Sequence, residues 1–82
     1  MRDETIRIPA QLGALLRSER IARKLTQSQV AVQLGITAQA VSKIERDASR
    51  TSFERIHGLC LVLGLELHLR SAKSAPTQSG GW

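Results

Sequence analysis

Between Gln27 and Arg46 the chain reads QSQVAVQLGITAQAVSKIER, and this stretch restricts the possible folds more than any other. Apolar residues fall at Val30, Ala31, Leu34, Ile36, Val41 and Ile44. Within each half that spacing is helical, with one face turned in and one out. Thr26 and Thr37 precede the two halves, where a hydroxyl oxygen can accept from the free N–H groups of a first helical turn. Gly35 lies between them, just past the last periodic residue, where helices commonly end in a left-handed residue. Ala31 is small enough for two helices to cross closely. The pattern predicts a helix over 27–34, a tight turn and a second helix over 38–46.

Two helices joined this way form a helix-turn-helix, whose second helix can enter the DNA major groove. With Val41 and Ile44 turned inward, Ala38, Gln39, Ser42, Lys43 and Arg46 are left outside, joined at the front by Thr37. Gln39 is the natural base reader, because its amide can donate to and accept from adenine at once. Ser42 is permissive about partners, and the Ala38 methyl suits a thymine methyl. Lys43 suits guanine or phosphate, and Arg46, at the far end, a phosphate. Gln27 opens the preceding helix, where its side chain and the helix N-terminus suit a backbone phosphate. Arg50 and Arg55 add positive charge on the expected DNA side. For any one of these residues the alternative is an ordinary solvated helix face.

Eighty-two residues make one domain with a modest core, the kind that often gains stability by oligomerising. A net charge of +5 and a pI near 10.7 favour an anionic partner. Phe53 and Trp82 are the whole aromatic complement, which argues against a stacking platform for single strands. Cys60 is the only cysteine, so no intrachain disulfide can form, which fits a reducing cytoplasm. The start MRDETIRIP lacks the apolar core of a secretory signal, and no apolar run is long enough to span a membrane. His57 and Cys60 share a helical face, but a metal site needs more ligands. No nucleophile–base arrangement is legible either, so neither an enzyme nor a cofactor is expected.

Outside the central stretch, residues 1–8 read as an N-terminal arm in which Asp3 and Glu4 offset Arg2 and Arg7. Pro9 starts a first helix with Leu12, Leu15, Leu16 and Ile21 as its buried stripe and Leu25 closing the turn after it. Asp47 is expected to take the left-handed conformation after the second half of the motif. Thr51 to Glu54 reads as a capping box with Thr51 as the cap. The helix after it would bury Phe53, Ile56, Leu59, Cys60 and Leu63 and end at Gly64; Gly58 allows close packing. Then the period changes to two: Leu65, Leu67 and Leu69 alternate with Glu66, His68 and Arg70, as in a half-buried strand. One strand cannot satisfy its own backbone. The economical partner is the same strand of a second copy across a two-fold axis, which makes Leu65, Leu67 and Leu69 a dimer interface. A hairpin with residues 5–8 and an extension of the preceding helix are the alternatives. Residues 71–82 form a Ser/Ala/Pro/Gly tail ending in Trp82, read as flexible. Trp82 has no packing role in such a tail; an anchor in a partner's pocket, a mark for a quality-control protease and an ordinary terminus all stay open.

The stretch from Gln11 to Leu63 resembles the Cro/repressor, or Xre-type, DNA-binding domains, with Val30, Ala31, Gly35, Ile36, Val41 and Ile44 at that family's core positions. The resemblance implies a mainly all-α, lambda-repressor-like fold over residues 9–70, closed in a dimer by a two-stranded sheet. It also implies an ion pair between Arg20 and Glu45 that locks the first helix onto the recognition helix. The loop after Glu45 departs from the family, which often has Gly there. The leucine-alternating strand, Ser71 to Lys73 and the terminal Trp look like the HipB-type antitoxins. That resemblance implies a dimeric repressor of its own promoter that binds palindromic double-stranded operators. It further implies a HipA-type Ser/Thr kinase toxin as partner, for which Trp82 is the candidate partner-binding residue. A stand-alone repressor and a protein-binding adaptor are the other readings.

Overall fold

Pro9 opens α1 (Pro9–Ala22) in the computed structural model, which describes residues 3–72. A proline costs nothing there, because the first N–H groups of a helix have no intrahelical acceptor. Gln11 reaches back over the entry, its Oε1 accepting from the N–H of Ile8 at 2.9 Å. After it come α2 (Gln27–Leu34), α3 (Ala38–Arg46), a 3-10 turn (Ala48–Arg50) and α4 (Phe53–Leu63). Thr26 Oγ1 accepts from Gln29 N and Thr37 Oγ1 from Ala40 N, each at 3.0 Å, so both threonines cap as their positions require.

Three helices end by one device. At Gly35 and Gly64 the backbone turns left-handed, and Ile36 N and Leu65 N reach back to Ala31 O and Cys60 O. The end of α1 does the same with Lys24 at φ 57°. Nothing in the side chain of a lysine announces that conformation.

Leu16, Val30, Val41, Ile44, Leu59 and Cys60 are almost wholly buried, with Ala31, Ala48, Ile56 and Leu63 around them. Every helix therefore contributes to one core. Three residues assigned to its stripes lie outside it: Ile21 is 47% exposed, Phe53 67%, and Leu15 is half-buried away from the core. Ile21 falls in the last turn of α1, just before the chain turns away at Lys24. Phe53 is the first residue of α4, ahead of the core-facing run, and its ring stacks instead on His57 with centroids 5.8 Å apart.

The start of α4 also differs from the sequence reading. Ser52, not Thr51, is the cap, its Oγ accepting from Arg55 N at 3.2 Å. Thr51 is committed to the preceding turn, its N–H donating to Ala48 O. Asp47 is not left-handed (φ −153°, ψ 84°); it caps the 3-10 turn by accepting from Ser49 N.

Residues 65–72 form neither helix nor ladder, and within the described residues no backbone bond reaches 66–72. Gly64 stops α4, so the segment does not extend that helix. It does not pair with residues 5–8 either, although Leu67 is half exposed and Leu69 fully so. Among the described residues no helix is long and apolar enough to cross a membrane.

Close approach of α1 to α3 depends on Gly13. A Cβ there would stand 2.6 Å from Glu45 O and 2.8 Å from Ile44 O, both backbone atoms that cannot turn aside. At Gly58 the nearest obstacle is the Leu34 Cδ2 methyl, the end of a side chain that can rotate. Gly13→Ala is therefore expected to cost about 1–3 kcal/mol, as overpacking does, and Gly58→Ala clearly less. Urea midpoints of the two variants check the ranking.

Candidate nucleic-acid interface

Amphipathicity is strongest in α3, where Val41 and Ile44 are buried and Gln39, Lys43 and Arg46 are exposed. Its outward face looks onto an open groove of about 610 Å³, closed on the far side by the 3-10 turn and the start of α4. Thr37, Gln39, Ala40, Lys43, Ile44 and Arg46 line it from α3 and its cap, and Arg50, Thr51 and Arg55 from the stretch that follows. Lys43, Arg46, Arg50 and Arg55 face one carboxylate there, Asp47, so the groove is basic. Asp47 is partly engaged already. The Ser49 hydroxyl donates to it and holds its carboxyl below the usual carboxylate range, helped by the Ser49 N–H and by the charge of Arg50 3.7 Å away.

Of the residues assigned to DNA, the fold thus gathers Thr37, Gln39, Lys43, Arg46 and Arg50 on one concave face. Arg55, noted in sequence only for its charge, is part of the same wall. Ala38 and Ser42 belong to the same helix but are half-buried, and Ala38 packs against the core. Gln27 is also half-buried, and its Nε2 donates to Glu45 Oε1 at 3.0 Å.

Behind this face lies a buried ion pair. Arg20 Nε donates to Glu45 Oε2 at 2.7 Å and Arg20 Nη2 to Oε1 at 3.1 Å, a two-pronged contact between the last turn of α1 and that of α3. Arg20 Nη1 donates to Leu25 O at 2.8 Å, which ties down the turn leading into α2. Among the described residues no buried side-chain polar atom lacks a hydrogen-bond partner. Sequence reasoning overlooked a neighbouring pair, Glu19–Arg23 at 2.6 Å, although its i,i+4 spacing on α1 was a legible signal.

Elsewhere the titratable side chains are dispersed. Burial raises the Cys60 thiol above its ordinary value, while His57 is exposed against Phe53. Among the described residues no three His, Cys, Asp or Glu groups converge as a metal site would need. Trp82 lies outside the described residues.

The family model described as "Helix-turn-helix domain" matches residues 11–72. No curated protein matches the chain. Solved structures do. A chain from a HipB-O4 20mer complex is 27% identical with a TM-score of 0.81, over 87% of this chain and 100% of that one. A chain from a HipA-HipB-O2-O3 complex is 25% identical with a TM-score of 0.81 and the same coverage. A structure called MDT Protein is 27% identical with a TM-score of 0.81, over 87% and 100%.

Arg20→Met is expected to destabilise the domain by about 3–5 kcal/mol, because it leaves Glu45 as an uncompensated buried charge. Removing Glu45 as well, in Arg20→Met/Glu45→Met, should recover most of that loss. Chemical denaturation of the two variants tests both statements; a loss no larger than that of an exposed arginine would refute the structural role.

Proposed function

We propose, from the premise that this chain belongs to the helix-turn-helix domain family and is HipB-like in fold, that it is a dimeric transcriptional repressor and the antitoxin half of a kinase toxin–antitoxin pair. The observation that carries the DNA half is the basic groove along α3, with Gln39, Lys43 and Arg46 held on its wall by a helix whose inner face is locked into the core. A helix-turn-helix domain with that surface is the apparatus of a regulator rather than of an enzyme.

In this reading residues 9–70 are the DNA-binding and dimerisation domain, flanked by an arm over 1–8 and a tail over 71–82. Leu65, Leu67 and Leu69 pair with their counterparts in a second copy. That gives residues 66–72 the backbone partners that the described residues of one chain do not provide. Two copies of α3 then enter successive major grooves about 34 Å apart on one face of the duplex. Gln39 reads bases, with Ala38, Ser42 and Lys43 beside it. Gln27, Thr37, Arg46 and Arg50 hold the backbone and release counterions. The partner we assign is a HipA-type Ser/Thr kinase, supported by the likeness to a chain of a HipA-HipB-O2-O3 complex, with Trp82 as the proposed anchor. The setting is cytoplasmic, and the operator is a palindrome in the protein's own promoter.

Binding to the promoter fragment upstream of the gene, followed by fluorescence anisotropy across a salt series, tests the repressor reading. Steep salt dependence and preference for an inverted repeat are the expected outcome, and equal affinity for all duplexes would reject it. Copurification with a HipA-type kinase encoded alongside tests the antitoxin reading separately.

Within this assay Gln39→Ala should flatten the preference among bases, a loss of about 1–3 kcal/mol of discrimination. Arg50→Ala should weaken all sequences alike and lower the salt slope by about one. Leu67→Pro removes a ladder donor, and sedimentation should then find monomers with weak operator binding. A surviving dimer would exclude the leucine ribbon as the interface.

A further inference from the structure

We infer that Glu45 is a positioning residue for Gln27: held by Arg20, its carboxylate fixes the Gln27 amide in the orientation that offers an N–H to a DNA phosphate. The inference rests on the reading of Gln27 as a backbone contact and adds what sets that contact.

Glu45 accepts three hydrogen bonds, two from Arg20 and one from Gln27 Nε2 at 3.0 Å. The three residues come from the last turn of α1, the first position of α2 and the last turn of α3. An ionised carboxylate only accepts, so it determines which end of a neighbouring amide turns toward it. Turned over, the amide would set its own oxygen against Glu45. In the orientation observed, one Nε2 hydrogen goes to Glu45, and the second has no partner among the described residues. A phosphate oxygen, also an acceptor only, suits that second hydrogen. Arg20 is needed as well, because its cation cancels a carboxylate that would otherwise repel the duplex.

Orientation fixed before binding spares the rotamer entropy that a free glutamine would lose on the DNA. It also makes the ion pair part of the interface. Whatever loosens Arg20–Glu45 should release Gln27, even with α3 still in place.

The test uses a duplex selected from a random pool by the full-length protein, then resynthesised with one methylphosphonate at each phosphate in turn. The wild type should lose about tenfold in affinity at the phosphate that Gln27 holds, the worth of one hydrogen bond to a charged group. Gln27→Ala should abolish the penalty at that phosphate alone. Glu45→Gln should abolish it too, leaving the penalties at the other phosphates in place. A purely structural Glu45 would instead weaken them all together. Glu45→Asp keeps a charge opposite Arg20 while drawing the acceptor back by one methylene. It supplies the same comparison if Glu45→Gln does not fold, as judged by circular dichroism. If Gln27→Ala removes the penalty and both Glu45 variants retain it, Glu45 does not position Gln27. If Gln27→Ala changes no phosphate, Gln27 is not a backbone contact and the inference falls while the repressor reading stands. If the wild type selects no duplex, both fall.

Discussion

The Arg20–Glu45 pair is the contact on which the rest of this domain turns. A buried carboxylate and a buried guanidinium are costly to bring out of water, and their mutual attraction offsets that cost only in good geometry. Here the geometry is two-pronged, Arg20 Nη1 also donates to Leu25 O, and Glu45 accepts a further bond from Gln27 Nε2. The pair therefore sets where α1 meets α3, through Arg20 where the turn into α2 runs, and through Glu45 how the first side chain of α2 lies. Such a pair is better understood as fixing one arrangement than as adding net stability.

Glycine supplies the other half of that arrangement. The carbonyl of Glu45 itself lies where a Cβ on residue 13 would have to go, so α1 can reach the ion pair only with no side chain at that point. Charge on one side of Glu45 and the absence of a side chain on the other act together on the same last turn of α3. The outward face of α3 is then held firm without contributing to its own support. Its exposed residues are free to face a ligand because Val41 and Ile44 do the packing. Opposite them, Arg50 and Arg55 arrive from a different part of the chain, and a helix face becomes one wall of a basic groove.

Much of this was legible in order along the chain. Thr26, Thr37, Gly35 and Gly64 are local signals, because a cap or a left-handed residue acts within a few positions of itself. The Val30–Ala31 and Val41–Ile44 pattern marks its own inward face. What misled was also local: Thr51 and Ser52 are adjacent and both can cap, and only the 3-10 turn before them, which takes up the Thr51 N–H, decides in favour of Ser52. Asp47 is expected from the sequence to turn left-handed, but it caps the 3-10 turn through its bond from Ser49 N at φ −153° and ψ 84°. Ile21 and Phe53 fit the spacing of a stripe but sit at helix ends, where the neighbouring layer has already stopped.

The sequence by itself determined the helices, the caps of α2 and α3, the polar make-up of the recognition face and the change of period after Gly64. Those properties follow from side-chain shape, hydrogen-bonding capacity and spacing over a few residues. Only the tertiary structure decided that Gly13 lies under the backbone of α3, that Lys24 turns left-handed, and that Arg55 shares a groove with Lys43. It alone showed that Gln27 is bound to Glu45. Each of these depends on which distant segment is brought within a few ångströms, and no run of neighbouring residues encodes that distance.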